Sequence, residues 1–588
     1  MNTASKPHVP VGPKVQLVAV LAMLAAISLM LLWTQIIRGP QLAEEGRLVR
    51  THSINIPAER GSIVDANGVV LAQSVGTYHI AVNQQNVARA VVCENPQAED
   101  EDERGCNQVG VAAAAKKLAP ILEMDPVELG GKMVGESTYE YLKKDVTPQV
   151  WRQVRALSIY GIEWEASSER DYPNGSVAAT VIGSLNLDGQ GISGLEQTQD
   201  QIMGGEDGKE SFEVGTTGQV MPGGKDVLAQ KRDGSTVHTT LRVDLQYAVE
   251  QSLNDAVGRF GADWGVAVVQ EIATGRLLAL ADSGNSEIGH QPQTVRSVQY
   301  AVEPGSVGKV LTVATALEKQ KVTPETVFSV ADRYTAPNGE TFVDSHGHET
   351  YPRTVTGILA ESSNTGTVHI GEKVTDAERY ETMTRMGLGA PTGIPLAGES
   401  GGILTKPEEW DGRQRYTTMF GQGYAVTQLQ QVGVMAAIGN SGVYLPPRLI
   451  DGWTAPDGSY EPAPPSQPVQ ALKPEVAKML LTMLESTSAD QEGTGAGYAV
   501  DGYRMSSKTG TAELIENGIL TGTATTVAGV VPSDKPVVAV SVLLYRPRLG
   551  PISTQSAGPL FHEVVTDAIN NLGIPASAEP AKLYATQP

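Results

Sequence analysis

The first pattern along the chain is one long run of apolar residues near its start. Residues 1–14 are mostly polar, and Val15–Ile37 is then almost wholly apolar up to Arg38. A helix of about 20 apolar residues is long enough to cross the hydrocarbon layer of a membrane. A cleaved secretory signal has a shorter apolar region, about 7–15 residues, and ends in a small-x-small site that is not evident here. The pattern therefore predicts an uncleaved anchor over residues 15–37.

The second half of the chain begins and ends with strand-like patterns and has a long helical middle. The predicted strands are 265–270, 277–280, 503–512, 525–531 and 537–545, and a closing helix is predicted at 558–572. Strands at both ends of a helical middle predict one sheet assembled from distant parts of the chain, with helices packed on it. We therefore expect an α+β domain over residues 238–574. The Ala- and Pro-rich residues 575–588 predict a flexible tail.

Residues 38–237, between the anchor and the α+β domain, are predicted to form a mixed, β-rich domain. Arg60–Ala72 places two strand patterns around Asn67-Gly68, which is a strong hairpin signal. Arg170–Pro173 and Gly191–Glu196 add further turns. None of these segments pairs a nucleophile with a base, so we interpret them as salt-bridged corners with a structural role.

Charge and cysteine content restrict the partners and the compartment. The 588 residues are 40% hydrophobic, which is enough for two or more domains, and the net charge of 44 − 66 = −22 argues against nucleic-acid binding. The two cysteines, Cys93 and Cys106, bracket a short acidic loop, which indicates a disulfide and an exported compartment. Two free thiols are the alternative. Positive charges flank the anchor on both sides, so their count alone leaves its orientation open.

The segment Glu303–Thr312 carries the first candidate chemistry. Apolar residues recur at helical spacing after Ser306, so Ser306 is predicted at or near a helix start, with Lys309 one turn further on. A serine nucleophile needs a base within hydrogen-bond reach, and a partly desolvated lysine can supply one. Taken alone, Ser-x-x-Lys also fits a capped, solvated helix. A phosphate-binding loop is excluded, because Glu303 and Val310 stand where that motif needs Gly and Ser or Thr.

Two further triplets in the same domain favour catalysis. Ser362-Ser363-Asn364 lies between helical stretches, where Ser362 is placed to relay a proton and Asn364 offers an amide donor and acceptor to a peptide. Taken singly, this triplet is more typical of an Asn helix cap. Its occurrence in one domain with Ser306 and Lys309 is what favours an enzyme.

The third triplet, Lys508-Thr509-Gly510, lies on the first of the three late strands and continues into Thr511. Lys508 adds positive charge, and the hydroxyls of Thr509 and Thr511 can bind a carboxylate. Gly510 lets a substrate approach the strand backbone. A lysine-containing turn is the structural alternative for this triplet. All three triplets in this order are difficult to obtain by chance.

Together, the three triplets resemble the signature set of penicillin-binding proteins and serine β-lactamases. The segments Arg60–Ala72, Arg170–Pro173 and Gly191–Glu196 resemble the pedestal, or dimerisation, domain of class B penicillin-binding proteins. Asp344-Ser345-His346 and Phe420-Gly421-Gln422-Gly423 resemble the cell-division, or septal, branch of that class. The implied architecture is a cytoplasmic tail (1–14), a membrane anchor (15–37), a pedestal (38–237), an antiparallel-sheet transpeptidase domain (238–574) and a tail (575–588).

This resemblance implies a D,D-transpeptidase that crosslinks peptidoglycan stem peptides and is acylated by β-lactams. Ser306 is then the nucleophile and Lys309 its base, and the backbone N–H groups of Ser306 and Thr511 form the oxyanion hole. Ser362 relays the proton to the departing D-Ala, and Asn364 orients the donor peptide. Lys508 binds its carboxylate together with Thr509 and Thr511. No cofactor or metal is implied, and the two histidines of His346-Gly347-His348 are interpreted as loop residues.

Three other functions stay open at this stage. A β-lactamase is disfavoured, because those enzymes are generally single small domains and no general base for deacylation is obvious. A class B transpeptidase of cell elongation and a non-catalytic penicillin-binding scaffold or sensor are the others. The resemblance also implies a single-pass membrane protein with its N-terminus in the cytoplasm and its catalytic domain outside. Its implied partners are a SEDS-type glycosyltransferase and other division proteins.

Overall fold

The structure is a computed structural model that describes residues 12–98, 100–214, 220–284, 288–289, 291, 293–490 and 493–588. The chain divides into two compact units. The first comprises Met1–Ala58 and Glu206–Arg232, and the second comprises Glu59–Gly205 and Asp233–Pro588.

The first unit contains the predicted anchor. The α-helix Pro13–Leu32 continues through a π-helical turn, Trp33–Arg38, into the helix Gly39–Arg50. Within it, Pro13–Gln41 is long and apolar enough to cross a membrane, and none of its most apolar stretch is buried against protein. An apolar helix that is exposed all round fits a single-pass anchor.

The same unit contains a three-stranded antiparallel sheet. Thr51–Ile56 pairs with Gly208–Val214, which pairs in turn with Val220–Ala229. The two segments of this unit, which are far apart in sequence, are therefore joined by backbone hydrogen bonds.

The pedestal part of the second unit is built on one mixed sheet. In spatial order its strands are Tyr460–Pro462, Ile450–Thr454, Thr236–Thr239, Ile63–Val64, Val70–Val82 and Glu140–Val146, and Ile162–Asp171 also pairs with Val70–Val82. The predicted hairpin is confirmed, since Ile63 lies opposite Ala72. Asp65 Oδ1 closes its turn by accepting hydrogen bonds from the N–H groups of Asn67 and Val69 at 2.7 and 2.8 Å.

Short helices and two small strands complete the pedestal. The helices are Gln84–Val87, Glu101–Arg104, Val111–Leu122, Pro126–Lys132, Pro148–Ala156, Ala179–Ile182, Gly194–Thr198 and Asp200–Met203, and the strands are Val91–Val92 and Gln108–Val109. The structure joins Cys93 and Cys106 in a disulfide next to the two small strands. The loop between the two cysteines is thereby closed covalently.

Three segments of the pedestal meet at one buried carboxylate. The side chain of Glu196 is fully buried, and its two oxygens accept hydrogen bonds from Arg60 Nε at 2.6 Å and Arg170 Nε at 2.8 Å. A buried charge needs such pairing, because an unpaired one is strongly destabilising. The expectation that these segments are salt-bridged corners is confirmed.

The transpeptidase part is organised around a five-stranded antiparallel sheet. Its spatial order is Leu277–Asp282, Trp264–Glu271, Val538–Tyr545, Ile519–Val531 and Ser506–Glu516. The predicted assembly of first and last strands into one sheet is therefore confirmed. The Ser506–Glu516 strand lies at the edge, where its outer backbone groups are available to a ligand.

Helices cover both faces of this sheet. Val243–Phe260 and Ala557–Leu572 pack on one face, and Gln428–Gly439 packs on the other. The remaining helices of the domain are Arg296–Gln299, Lys309–Glu318, Val355–Glu361, Asn364–Gly371, Asp376–Arg385, Gln414–Thr417 and Pro474–Ala489, with 3₁₀ turns at Gly305–Gly308, Pro407–Glu409, Thr418–Phe420 and Ala496–Tyr498. Three short hairpin pairs join Val327–Val330 to Tyr351–Thr354, Arg333–Thr335 to Thr341–Val343, and Val443–Tyr444 to Val469–Gln470.

Residues 575–588 differ from the predicted flexible tail, because they lie against the transpeptidase domain. Thr354 Oγ1 donates to the carbonyl oxygen of Ala585 at 2.7 Å. The N–H of Ser577 donates to the carbonyl oxygen of Gly502 at 2.9 Å. Composition predicted disorder here because these residues have little apolar surface to bury. Backbone hydrogen bonds to folded neighbours supply the contacts, and composition does not reveal them.

Candidate active site

Three segments that are distant in sequence meet at one end of the edge strand. They are the 3₁₀ turn Gly305–Gly308, the turn at Ser362 between two helices, and the strand Ser506–Glu516. Each carries one of the predicted motifs. The structure therefore brings the predicted site residues of all three motifs together.

The turn that carries Ser306 is packed tightly against the edge strand. Gly305 has a φ of +53°, and a Cβ built on it would lie 2.7 Å from the carbonyl oxygen of Thr511. A Cβ on Gly510 would lie 2.3 Å from the carbonyl oxygen of Pro304. Since real Cβ atoms do not approach so closely, both glycines are required by backbone contact. The space at Gly510 is thus occupied by the nucleophile turn, whereas the sequence predicted room for substrate.

Lys309 begins the helix Lys309–Glu318 and its side chain is fully buried. Its Nζ donates to the backbone carbonyl oxygen of Ser362 and, at 3.2 Å, to Ser362 Oγ. Among the residues that the structure describes, none hydrogen-bonds Ser306 Oγ. The hydroxyl of Ser306 is therefore free to act on a substrate, and catalytic hydrogen bonds often tighten only when substrate binds.

Ser362 has an unusual backbone conformation. It ends the helix Val355–Glu361 with a φ of +66° and a ψ of +35°, in the left-handed region that a non-glycine residue rarely occupies. Its Oγ also accepts a hydrogen bond from Lys508 Nζ at 2.9 Å. The two buried lysines, Lys309 and Lys508, thus meet at one serine hydroxyl.

Burial sets the charge state of this lysine pair. The pKa of Lys309 is lowered to about 7, because burial disfavours the ammonium, although the charge of Asp344 opposes the shift. The pKa of Lys508 is lowered well below its usual range, first by burial and then by the charge of Lys309. Two ammonium groups at one hydroxyl repel each other, so one of them is favoured as a neutral amine. A neutral lysine can accept a proton at neutral pH.

Asn364 is held by its neighbours at the start of the next helix. Its Nδ2 donates to the carbonyl oxygen of Val343 at 2.9 Å, and its N–H donates to Asp344 Oδ1 at 2.5 Å. Ser363 is the N-cap of this helix, since its Oγ accepts from the N–H of Gly366 at 2.9 Å. The cap is therefore Ser363 and not the asparagine that the sequence suggested, and it lies in the same triplet as the candidate site residues Ser362 and Asn364.

The threonines of the edge strand point toward further hydroxyls. Thr509 Oγ1 donates to Thr494 Oγ1 at 3.2 Å, and Thr511 Oγ1 donates to Ser553 Oγ at 3.1 Å. Lys508 Nζ lies 3.4 Å from Thr509 Oγ1. This arrangement places an amino group and two hydroxyls along the strand, which suits a carboxylate ligand.

A cavity of about 690 Å³ opens beside this site. It is lined by Glu303, three residues before Ser306, by parts of the segment 411–425, and by Glu513 and Leu514 of the edge strand. Burial raises the pKa of Glu303, and the nearby charge of Glu513 raises it further. The cavity lies along the strand beyond Thr511, and its wall contains the carboxylates of Glu303 and Glu513 together with the guanidinium of Arg413.

Sequence reasoning missed the roles of Asp344 and Ser553 in this geometry. Asp344 was part of a branch motif, but its contacts with the Ser362–Asn364 turn depend on a loop that folds back over 20 residues. Ser553 lies 42 residues after Thr511. A short motif gives no signal for either contact.

A serine on the 3₁₀ turn before a helix, a buried lysine at the start of that helix and a second buried lysine on an edge strand define a serine acyltransferase site of the penicillin-recognising type. Comparison with known proteins identifies the family. Residues 265–566 match the penicillin binding protein transpeptidase domain, and residues 55–239 match the penicillin-binding protein dimerisation domain. The chain therefore belongs to the penicillin-binding proteins, and the two domains together make it a class B member and a serine-type transpeptidase.

Individual relatives match over nearly their whole length. The chain is 31% identical to penicillin-binding protein PbpB from Mycolicibacterium smegmatis, with 96% of this chain and 90% of that protein covered. A crystal structure of a peptidoglycan synthetase from Bifidobacterium adolescentis is 34% identical, with a TM-score of 0.74 and coverage of 92% of this chain and 100% of that one. Penicillin binding protein 3 from Mycobacterium tuberculosis, complexed with ampicillin, is 27% identical, with a TM-score of 0.69 and coverage of 91% and 100%.

Proposed function

We propose that this protein crosslinks peptidoglycan stem peptides through an acyl-enzyme on Ser306, and that β-lactams acylate the same residue. The observation that carries the proposal is the pair of buried lysines, one of them three residues after Ser306, that meet at Ser362 Oγ. A surface helix would keep its lysine solvated, whereas this one is buried with a pKa of about 7. Two buried lysines that share the Ser362 hydroxyl can transfer protons through it.

The first step is acylation. Ser306 Oγ attacks the carbonyl carbon of the donor's penultimate D-Ala, and its proton passes to neutral Lys309. The Oγ–C bond forms as the C–N bond to the terminal D-Ala breaks. Ser362, which accepts a hydrogen bond from Lys309, relays the proton to the departing amine. The lysine is then neutral again.

The edge strand binds the negative charge of the substrate. Lys508 and the hydroxyls of Thr509 and Thr511 bind the terminal carboxylate, and the backbone N–H groups of Ser306 and Thr511 stabilise the oxyanion. The stem-peptide residues before the scissile bond then extend past Thr511, toward the cavity at Glu513. Asn364 orients the donor peptide.

The second step transfers the acyl group. An amine from a neighbouring stem peptide attacks the ester carbon and the Oγ–C bond breaks. The proton that the amine loses passes through Lys309 to Ser306 Oγ. Atoms therefore balance over the cycle: one amide is broken, one is formed and D-Ala is released. No redox partner is required.

The test is intact-mass measurement over time of the full-length protein in detergent with a penicillin. We expect an adduct of one drug mass that persists for many minutes, with peptide mapping that places it on Ser306. Ser306→Ala should form none. Ser459→Ala is a matched control, because it removes an exposed serine hydroxyl that bonds to Asp457 in its own turn, away from the three motifs.

The other functions give different results in this experiment. Rapid hydrolysis of the drug without an accumulating adduct would favour a β-lactamase. Neither adduct nor hydrolysis by folded wild-type protein would favour a non-catalytic scaffold. An adduct that maps to another residue would contradict the proposed nucleophile.

We further propose that the enzyme works in septal wall synthesis, with its N-terminus in the cytoplasm and its catalytic domain outside. The resemblance of Asp344-Ser345-His346 and Phe420–Gly423 to the division branch supports this role, and the Cys93–Cys106 disulfide supports an exported domain. Side-wall localisation of a tagged protein would favour elongation instead. The proposed partner is a SEDS-type glycosyltransferase with other division proteins, and failure to co-purify it after mild crosslinking would count against the pairing.

A further inference from the structure

A buried carboxylate that the proposed reaction does not use lies behind the Ser362 turn. Asp344 Oδ1 accepts hydrogen bonds from the N–H groups of Asn364 and Thr365 at 2.5 and 3.0 Å, and Oδ2 accepts from Ser363 Oγ at 2.8 Å. The side chain of Asp344 is only 5% exposed. A carboxylate at the first N–H groups of a helix makes charge-assisted bonds and is favoured by the helix dipole. Asp344 therefore fixes the start of the helix that follows Ser362.

His348 holds this carboxylate from the other side. Its Nε2 lies 3.1 Å from Asp344 Oδ2, and its Nδ1 lies 2.8 Å from the carbonyl oxygen of Glu349. Both ring nitrogens face acceptors, so both contacts are hydrogen bonds only when the imidazole is protonated. Burial alone would lower the pKa of His348, but these two hydrogen bonds and the charges of Asp344 and Asp332 raise it above its usual value.

We propose that Asp344 and His348 are positioning residues of the transpeptidase site: Asp344 holds the turn that carries Ser362 and Asn364, and His348 holds Asp344. The pair also acts on the base, because the negative charge of Asp344 favours the ammonium form of Lys309. This inference rests on the proposed acylation at Ser306, and it concerns how the relay is kept in place.

The surroundings of the pair contain several titratable groups. Those that face Asp344 and His348 are Lys309 on the nucleophile helix, Asp332 before the Arg333–Thr335 strand, His346 in the same loop, and Tyr351 on the following strand. The ring of Tyr351 also contacts Arg353, and its hydroxyl donates to Glu361. Among these, Lys309 is the proposed base, so a change of charge at Asp344 affects acylation through Lys309.

The test compares the second-order rate of acylation by a fluorescent penicillin across pH 5–9 for full-length variants in detergent. Asp344→Asn keeps an oxygen for the two backbone N–H groups but removes the charge. We expect the acid limb of the pH profile to move to lower pH by about one unit, because an opposite charge near Lys309 is lost. Asp344→Ala also removes the cap, and its rate should fall about 10²-fold, as expected when a catalytic group is misplaced by about 1 Å.

His348 gives a rescue experiment. His348→Ala should slow acylation by about tenfold, and His348→Gln, which can still donate to Asp344, should recover most of the rate. Asp125→Asn is the matched control, because Asp125 caps the pedestal helix Pro126–Lys132 through two backbone N–H groups in the same way. Its rate and pH profile should match those of the wild type.

Two results would overturn the inference. One is a set of Asp344 and His348 variants that acylate like the wild type at every pH. The other is a slower rate in Asp344→Asn with an unchanged pH profile and a lowered melting temperature, which would show a merely structural role. Failure of the wild type itself to form an adduct would instead count against the proposed function, so the two failures are distinguishable.

Discussion

Replacing Lys309 by Arg separates the charge of this residue from its ability to accept a proton. The structure lowers the pKa of Lys309 to about 7 from 10.5. At pH 7 about half of a group with a pKa near 7 is neutral, whereas only about one in 3,000 is neutral at an unperturbed lysine pKa. Burial therefore raises the fraction of usable base by about 10³-fold. An arginine stays charged, so we expect acylation to fall by about 10²–10⁴-fold, the range for loss of a general base.

The assay is acylation by a fluorescent penicillin, followed from pH 5 to pH 9 with the full-length protein in detergent. The wild-type rate should rise with pH and reach half its plateau near pH 7. Lys319→Arg, at the C-cap of the same helix but partly exposed and paired with Glu381, is the matched control and should behave as wild type. A wild-type rate that is flat from pH 5 to 9, or a Lys309→Arg variant that acylates normally, would refute the reasoning.

Two further predictions concern stability and packing. Burial raises the pKa of Asp282 to about 6 from 3.8. The protonated carboxyl therefore stabilises the folded state below about pH 4, and this stabilisation, about 3 kcal/mol in total, is lost as the pH rises through about 6. The melting temperature of Asp282→Asn should therefore exceed that of the wild type by a margin that grows between pH 4 and pH 7, and a constant margin would contradict this. Gly510→Ala would place a Cβ 2.3 Å from the carbonyl oxygen of Pro304, so penicillin acylation should fall at least about tenfold. Gly497→Ala, where a Cβ meets nothing within 4 Å, should acylate normally.

The sheet and the three-part site could be predicted because they depend on local patterns. Strand and helix periodicity predicted which segments form the central sheet, and Ser306, Lys309, Ser362 and Lys508 converge as their motifs indicated. The apolar helix near the N-terminus could be predicted for the same reason, because a run of apolar residues is a local pattern. The domain boundaries at 237 and 574 stay predictions, since Thr236–Thr239 pairs both with the pedestal strand Ile63–Val64 and with a strand of the later domain.

Contacts that close over long loops could not be predicted. Asp344 reaches Asn364 only because the intervening strand Tyr351–Thr354 pairs back with Val327–Val330 and a helix then returns the chain. Ala585 of the tail contacts Thr354 across 231 residues. The role of Gly510 was misjudged for the same reason, since the atom it accommodates belongs to Pro304. Burial, which sets the pKa of Lys309, is a property of the folded domain.

The most direct test of the central claim is a transpeptidation assay with a stem pentapeptide that ends in D-Ala-D-Ala and an isotopically labelled amine acceptor. Full-length wild-type protein is predicted to release D-Ala and to form the labelled peptide product in equal amounts. Ser306→Ala is predicted to form neither. Product formation by Ser306→Ala, or no product from wild-type protein that penicillin acylates at Ser306, would contradict the account.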